Sequence, residues 1–146
     1  MAAITGESDG EIDMSGTKRN KIIYWTLTIL VLLPTAGSGF PELFTSGPQA
    51  TVQMVHALGY PLYLLKILGL CKILGAITIL ADRFPRLKEW AYAGFAFDFL
   101  GATASHLFAG DSARAPFPLI FFFLLMGSYF LWHRTKEPRI AEQSIR

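Results

Sequence analysis

Four long apolar runs set the limits on what this chain can become: Ile22 to about Phe40, Pro61 to Ala81, Trp90 to Ala109 and Pro116 to Trp132. Each is close to the roughly 20 residues that a helix needs to cross a hydrocarbon core of about 30 Å. Composition agrees, with 52% hydrophobic and only 16% charged residues and a mean hydropathy of +0.39. The expected class is an all-α membrane protein, a bundle of four transmembrane helices.

The basic residues give the expected orientation. Lys18, Arg19 and Lys21 precede the first run, Arg83, Arg86 and Lys88 lie between the second and third, and Arg134, Lys136, Arg139 and Arg146 follow the fourth. The other two loops hold only Arg114. The positive-inside rule then puts both termini and the middle loop in the cytoplasm, which requires an even number of spans. A cleaved signal peptide would share the basic start and apolar core. The long polar leader and the continuation of the apolar run past Pro34 argue for a retained span. Trp25, Trp90, Trp132, Tyr24 and Tyr92 fall at the inner span ends and are expected to form an aromatic belt.

Residues 1–20 are polar and lack apolar periodicity, so a disordered cytoplasmic tail is expected there. Residues 21–134 would form the membrane domain and 135–146 a cytoplasmic C-terminal tail. In the first outer loop, Ser46 or Gly47 can cap a helix, Pro48 suits its first turn, and Val52, Val55 and Leu58 recur at helical spacing. A short amphipathic helix is therefore expected, ended by "GYP" at 59–61. The single cysteine, Cys71, reads as a small packing residue.

Charges inside the runs are the exceptional feature. Gly94, Asp98, Gly101 and Ser105 share one helical face, and small residues let neighbouring helices approach, so this face is expected to turn Asp98 into the bundle. Gly69, Lys72, Gly75 and Ala76 repeat the pattern on the second run. Counted from the turn between these runs, Lys72 and Asp98 both stand roughly 14 Å above it at 1.5 Å per residue. Lys72 is therefore the expected partner of Asp98. The same count sets Lys66 level with His106 near the outer boundary, where Glu42 also arrives. Lys72, Asp98, His106, Lys66 and Glu42 form the expected polar column. Such a column is either a lock on helix register or a site for a ligand or an ion. Glu42, His56 and His106 have no metal-ligand spacing, so no metal is expected. His133, beside Arg134, reads as an interfacial tail residue. No phosphate-binding loop, nucleophile elbow or nucleic-acid signature occurs, and no haem-ligand pair, cysteine pair or flavin motif that would make a self-sufficient redox enzyme.

"LGYP" at 58–61, "ILGLCKILGAITIL", "FPRLKEWAYAGFAFDFLGATASHL" and "GD" at 110–111 together resemble the DoxX-like family of small four-span bacterial membrane proteins. The resemblance covers roughly residues 22–133, and "KEWAYAGFAFDFLGATASH" is its most specific part. It places Lys72, Asp98 and His106 in the family's polar set and transfers no catalytic residue. The family is named for the membrane subunit associated with thiosulfate–quinone oxidoreductase in archaea. The resemblance thus implies a multi-pass protein of the bacterial cytoplasmic membrane, with the lipid bilayer, a redox partner protein and further copies of the chain as candidate partners. A quinone is the implied ligand class. Three readings stay open: a membrane subunit of a quinone-linked redox system, a non-catalytic scaffold or assembly factor, and a small oligomeric transporter.

Overall fold

The computed structural model describes residues 7–45, 47–81 and 83–143, with side chains between 16 and 135. The elements are α1 (Glu7–Thr45), α2 (Gln49–Ala57), α3 (Tyr63–Ala81), α4 (Pro85–Phe108) and α5 (Pro116–Gln143). No strand occurs among the described residues. Helix α1 begins well before Ile22 and continues through Pro34 and Pro41. Adding residues to an established helix is easy compared with starting one. The helix therefore takes in most of the segment read as a polar tail, of which residues 1–6 lie outside the described residues. At the other end, residues 144–146 of the expected C-terminal tail also lie outside them.

Among the described residues, three helices have the length and apolar content to cross a membrane, over Gly16–Thr45, Tyr63–Ala81 and Pro116–Thr135. Helix α4 has the length, 24 residues, but dilutes its apolar content with Arg86, Lys88, Glu89 and Asp98 among small residues. The outer surface is that of a membrane protein. Leu33, Phe44, Phe97, Phe117 and Phe123 are exposed, and Phe108 is 93% exposed. Apolar exposure on this scale has no place in water. Buried groups conversely include Thr28, Thr35, Glu42, Lys88, His106 and Ser128.

Helix α1 packs on α3 and α5, and α4 packs on the same two helices, so the four long helices close a ring. The turn between α3 and α4 is short, and Pro85 at the first position of α4 presets its backbone. The loop helix is α2, entered from Pro48 in an extended conformation, with Val55 as its buried residue; Ser46 lies outside the described residues. Helix α2 stops at Gly59, whose φ of 79° is left-handed. The amide of Tyr60 donates to Val55 O and that of Gly59 to His56 O, which closes the helix end.

Two glycine contacts set the helix spacing. At the α1–α3 crossing, a Cβ on Gly69 would lie 2.6 Å from Gly39 O and 2.9 Å from Leu43 N, so backbone meets backbone. Between α3 and α4, a Cβ on Gly75 would lie 2.9 Å from the Phe95 ring. An aromatic ring, not backbone, fills that gap. Replacing Gly69 with Ala should lower stability by about 1–3 kcal/mol through overpacking. Gly101→Ala, in an equally helical position with open space around it, should be neutral or stabilising by up to about 1 kcal/mol. Unfolding monitored by tryptophan fluorescence in detergent measures both; equal effects would refute the close crossing.

Candidate functional site

At the antiparallel Gly39–Gly69 crossing two charged residues each stand against the other helix's glycine, one opposite Gly69 and one opposite Gly39, with Cβ atoms about 3.1 Å from where a glycine Cβ would lie. Glu42 and Lys72 are those residues. Lys72 Nζ donates to both Oε1 and Oε2 of Glu42 at 2.9 Å. The Glu42 side chain is 4% exposed and that of Lys72 16%. A bidentate, nearly dry pair of this kind is what a buried charge requires. Asp98 on α4 is half-buried and lies within the electrostatic field of both Lys72 and Glu42. It makes no hydrogen bond or ion pair among the described residues.

This arrangement corrects the expected pairing. Counting along the helices gives height, and at that height Lys72 has a choice of two carboxylates. It takes Glu42, because glycines bring α1 to backbone contact with α3, whereas the Phe95 ring holds α4 off. Glu42 accordingly leaves the outer group in which it was expected. Lys66 is exposed on α3 and joins neither His106 nor Glu42.

His106 is brought to a different partner. Gly110, with φ of 76°, lets the chain turn back at the end of α4. The amide of Asp111 then donates to His106 O at 2.9 Å and that of Gly110 to Leu107 O. The same turn puts Asp111 Oδ2 3.3 Å from His106 Nδ1, and Arg114 donates to that oxygen at 3.0 Å. Nearby, the hydroxyls of Tyr60 and Ser105 share a hydrogen bond of 2.8 Å, tying the α2–α3 connection to α4.

The face of α4 carrying Gly94, Asp98, Gly101 and Ser105 does not pack against a neighbouring helix as expected. Gly94 and Gly101 are exposed, with nothing within 4 Å of where a Cβ would stand. The buried face carries Lys88, Tyr92, Phe95, Phe99 and His106. Aromatic side chains bury far more area than glycines do, so the aromatic side wins the interior. Asp98 stands at the border between the two faces.

A second buried centre, at the end of the ring near the α3–α4 turn, was not foreseen. Lys88, read as a loop charge, is 1% exposed. Its Nζ stands 5.4 Å from the centre of the Tyr24 ring and 5.0 Å from that of Trp132, within range of cation–π attraction. Beside it, Ser128 Oγ joins Thr28 Oγ1 at 2.7 Å and Tyr92 Oη at 2.9 Å. Tyr24, Tyr92 and Trp132 are thus core residues rather than a belt, while Trp90 is exposed. His133 lies against Tyr129 and Trp132 and 4.0 Å from Glu89. The helical spacing of Lys88, Tyr92, Phe95, Phe99 and His106 was the available signal.

A family model described as DoxX-like family matches residues 26–128. The chain belongs to the DoxX-like family. It is therefore a multi-pass membrane protein of the DoxX type. No curated protein and no solved structure matches it. The matched segment of this DoxX-like chain contains Glu42, Lys72 and Asp98 as well as Lys88, Tyr92 and Ser128, whereas Tyr24, Trp132 and His133 fall outside it.

The geometry makes unequal demands on the three charges of the first cluster. Lys72→Met leaves the Glu42 carboxylate buried without a counter-ion and should cost about 3–5 kcal/mol. Glu42→Gln should be similarly damaging. The double variant should be milder than the sum of the two, since residues in contact are not additive. Asp98→Asn should cost clearly less than either single change at the pair. A double-variant cycle on unfolding in detergent decides; strict additivity would contradict the contact.

Proposed function

We propose that this protein is a four-span protein of the bacterial cytoplasmic membrane, with both termini cytoplasmic, that serves as a membrane subunit of a quinone-linked redox system. In this reading the Glu42–Lys72–Asp98 cluster receives the polar head of a quinone from the bilayer. The observation that carries it is the incomplete pairing of the cluster. Lys72 uses both oxygens of Glu42, while the Asp98 carboxyl, in the electrostatic field of both, makes no hydrogen bond or ion pair of its own among the described residues. Ionisable groups left open inside a membrane mark sites of ligand or ion traffic. Family membership supports a protein of the DoxX type. The packing of α4 within the ring supports its role as the fourth span. Electrons would come from a partner protein, since the chain has one cysteine and no motif for a redox group.

Two experiments test this reading. Protein extracted in mild detergent should carry quinone, seen by native mass spectrometry and by absorbance of the organic extract. Asp98→Asn should lose most of that quinone while its unfolding temperature stays near that of the unaltered protein. Unchanged quinone content with a shifted unfolding temperature would favour a scaffold instead. Reporter fusions at the N and C termini should both read out on the cytoplasmic side; opposite sides would reduce the spans to an odd number and remove α4 from the membrane.

A further inference from the structure

We infer that the end of the ring carrying the α3–α4 turn binds the head groups of anionic phospholipids through Lys21, Arg83, Arg86 and Arg134. The contact of Lys88 with Tyr24 and Trp132 fixes their placement, because it brings α1, α4 and α5 together at one level. Lys21 lies one turn before Tyr24, Arg86 two residues before Lys88, Arg134 two residues after Trp132, and Arg83 in the turn that leads into α4. Helices α1 and α4 run away from this end and α5 runs toward it. All four basic residues therefore lie beyond that level, the three helical ones within about 5 Å of it at 1.5 Å per residue.

These four side chains are exposed and enter no hydrogen bond or ion pair among the described residues. Elsewhere the chain supplies its own counter-ions, Glu42 for Lys72 and Asp111 for Arg114. Glu89 is the acidic side chain described on this rim, and it stands 4.0 Å from His133. The excess of positive charge is thus left for an anion from outside the chain. The apolar neighbours indicate its kind. Ile22 follows Lys21, Phe84 follows Arg83 and Leu87 follows Arg86, and each of the three is at least half exposed. Trp90, also exposed, stands one turn beyond Arg86, as an aromatic anchor at a membrane interface does. A soluble anion has nothing to match cations interleaved with exposed apolar side chains. A phospholipid does, with a phosphate for the cations and acyl chains for the rest. This inference does not rest on the quinone reading.

Full-length protein reconstituted into an equimolar mixture of phosphatidylglycerol and phosphatidylcholine, then released into mild detergent, tests the inference by the lipids it retains, counted by native mass spectrometry. Both leaflets share one composition, so the result is independent of which end faces the cytoplasm. Phosphatidylglycerol should be retained over phosphatidylcholine by about fivefold or more, since one basic residue near an anionic surface is worth about that factor. The enrichment should fall as salt is raised. Lys21→Gln, Arg83→Gln, Arg86→Gln and Arg134→Gln combined should bring the ratio near one while the unfolding temperature stays near that of the unaltered protein. Lys66→Gln, which removes an exposed cation elsewhere on the surface, should leave the ratio unchanged. Equal retention of the two lipids by the unaltered protein overturns the inference without any variant and turns the rim toward an acidic protein partner. Enrichment that survives the combined variant, or that Lys66→Gln abolishes equally, overturns it as well.

Discussion

The rest of the structure depends on the backbone contact between α1 and α3 at Gly39 and Gly69. Helices separated by ordinary side chains stand about 8–10 Å apart, whereas glycine on both sides brings α1 and α3 to backbone contact and leaves little room for water between the charges. There Glu42 stands against Gly69 and Lys72 against Gly39, and the Lys72 side chain reaches along the crossing to the Glu42 carboxylate at 2.9 Å. The ion pair in turn makes the charges tolerable in an apolar setting. Packing and electrostatics are therefore one arrangement here: the glycines set the distance, and the distance permits the charges.

The centre around Lys88 solves the same problem differently. The glycine beside it, Gly127, meets the Leu27 side chain rather than backbone. Instead the ammonium stands beside the faces of Tyr24 and Trp132, and Thr28, Ser128 and Tyr92 link three helices through their hydroxyls. Tyr92 stacks on Trp132 at this end of the ring, and Phe95 on Phe99 continues the aromatic core along α4. A centre in which the hydroxyls of Thr28, Ser128 and Tyr92 are joined in this way rigidifies a core. It is well suited to holding α1, α4 and α5 together near the α3–α4 turn.

Much of this was legible because it is local. The apolar runs, the loop helix at Gln49–Ala57 and the family pattern all reside in short stretches of sequence, where periodicity and turn residues act directly. The pairing of the charges was not, for a geometric reason. Residue counting fixed the height of Lys72 and Asp98 but carried no information on the spacing between helices. That spacing comes from which residues meet at each crossing: backbone at Gly39–Gly69, an aromatic ring at Gly75–Phe95. Lys66 shows the same limit, since its height matched His106 while its direction on α3 was outward. Lys88 was missed for a different reason. Its place among basic residues suggested a loop, although the spacing Lys88, Tyr92, Phe95, Phe99 already marked it as part of the inward face of α4. The small-residue face of α4 misled because glycine permits close approach without compelling it.

Asp98 is the residue that a purely structural account leaves unexplained. If the cluster existed only to fix helix register, the Glu42–Lys72 pair would suffice, since it is bidentate and nearly dry. A second carboxylate in the field of the first adds repulsion and a further desolvation penalty, with no hydrogen bond among the described residues to offset either. Its position at the edge of the open, glycine-bearing face of α4 places that penalty where something from outside the chain can relieve it. Local violations of good packing are found where function requires them. By that criterion the Lys88 centre, which is closed, belongs to the scaffold, and Asp98, which is open, belongs to the proposed site.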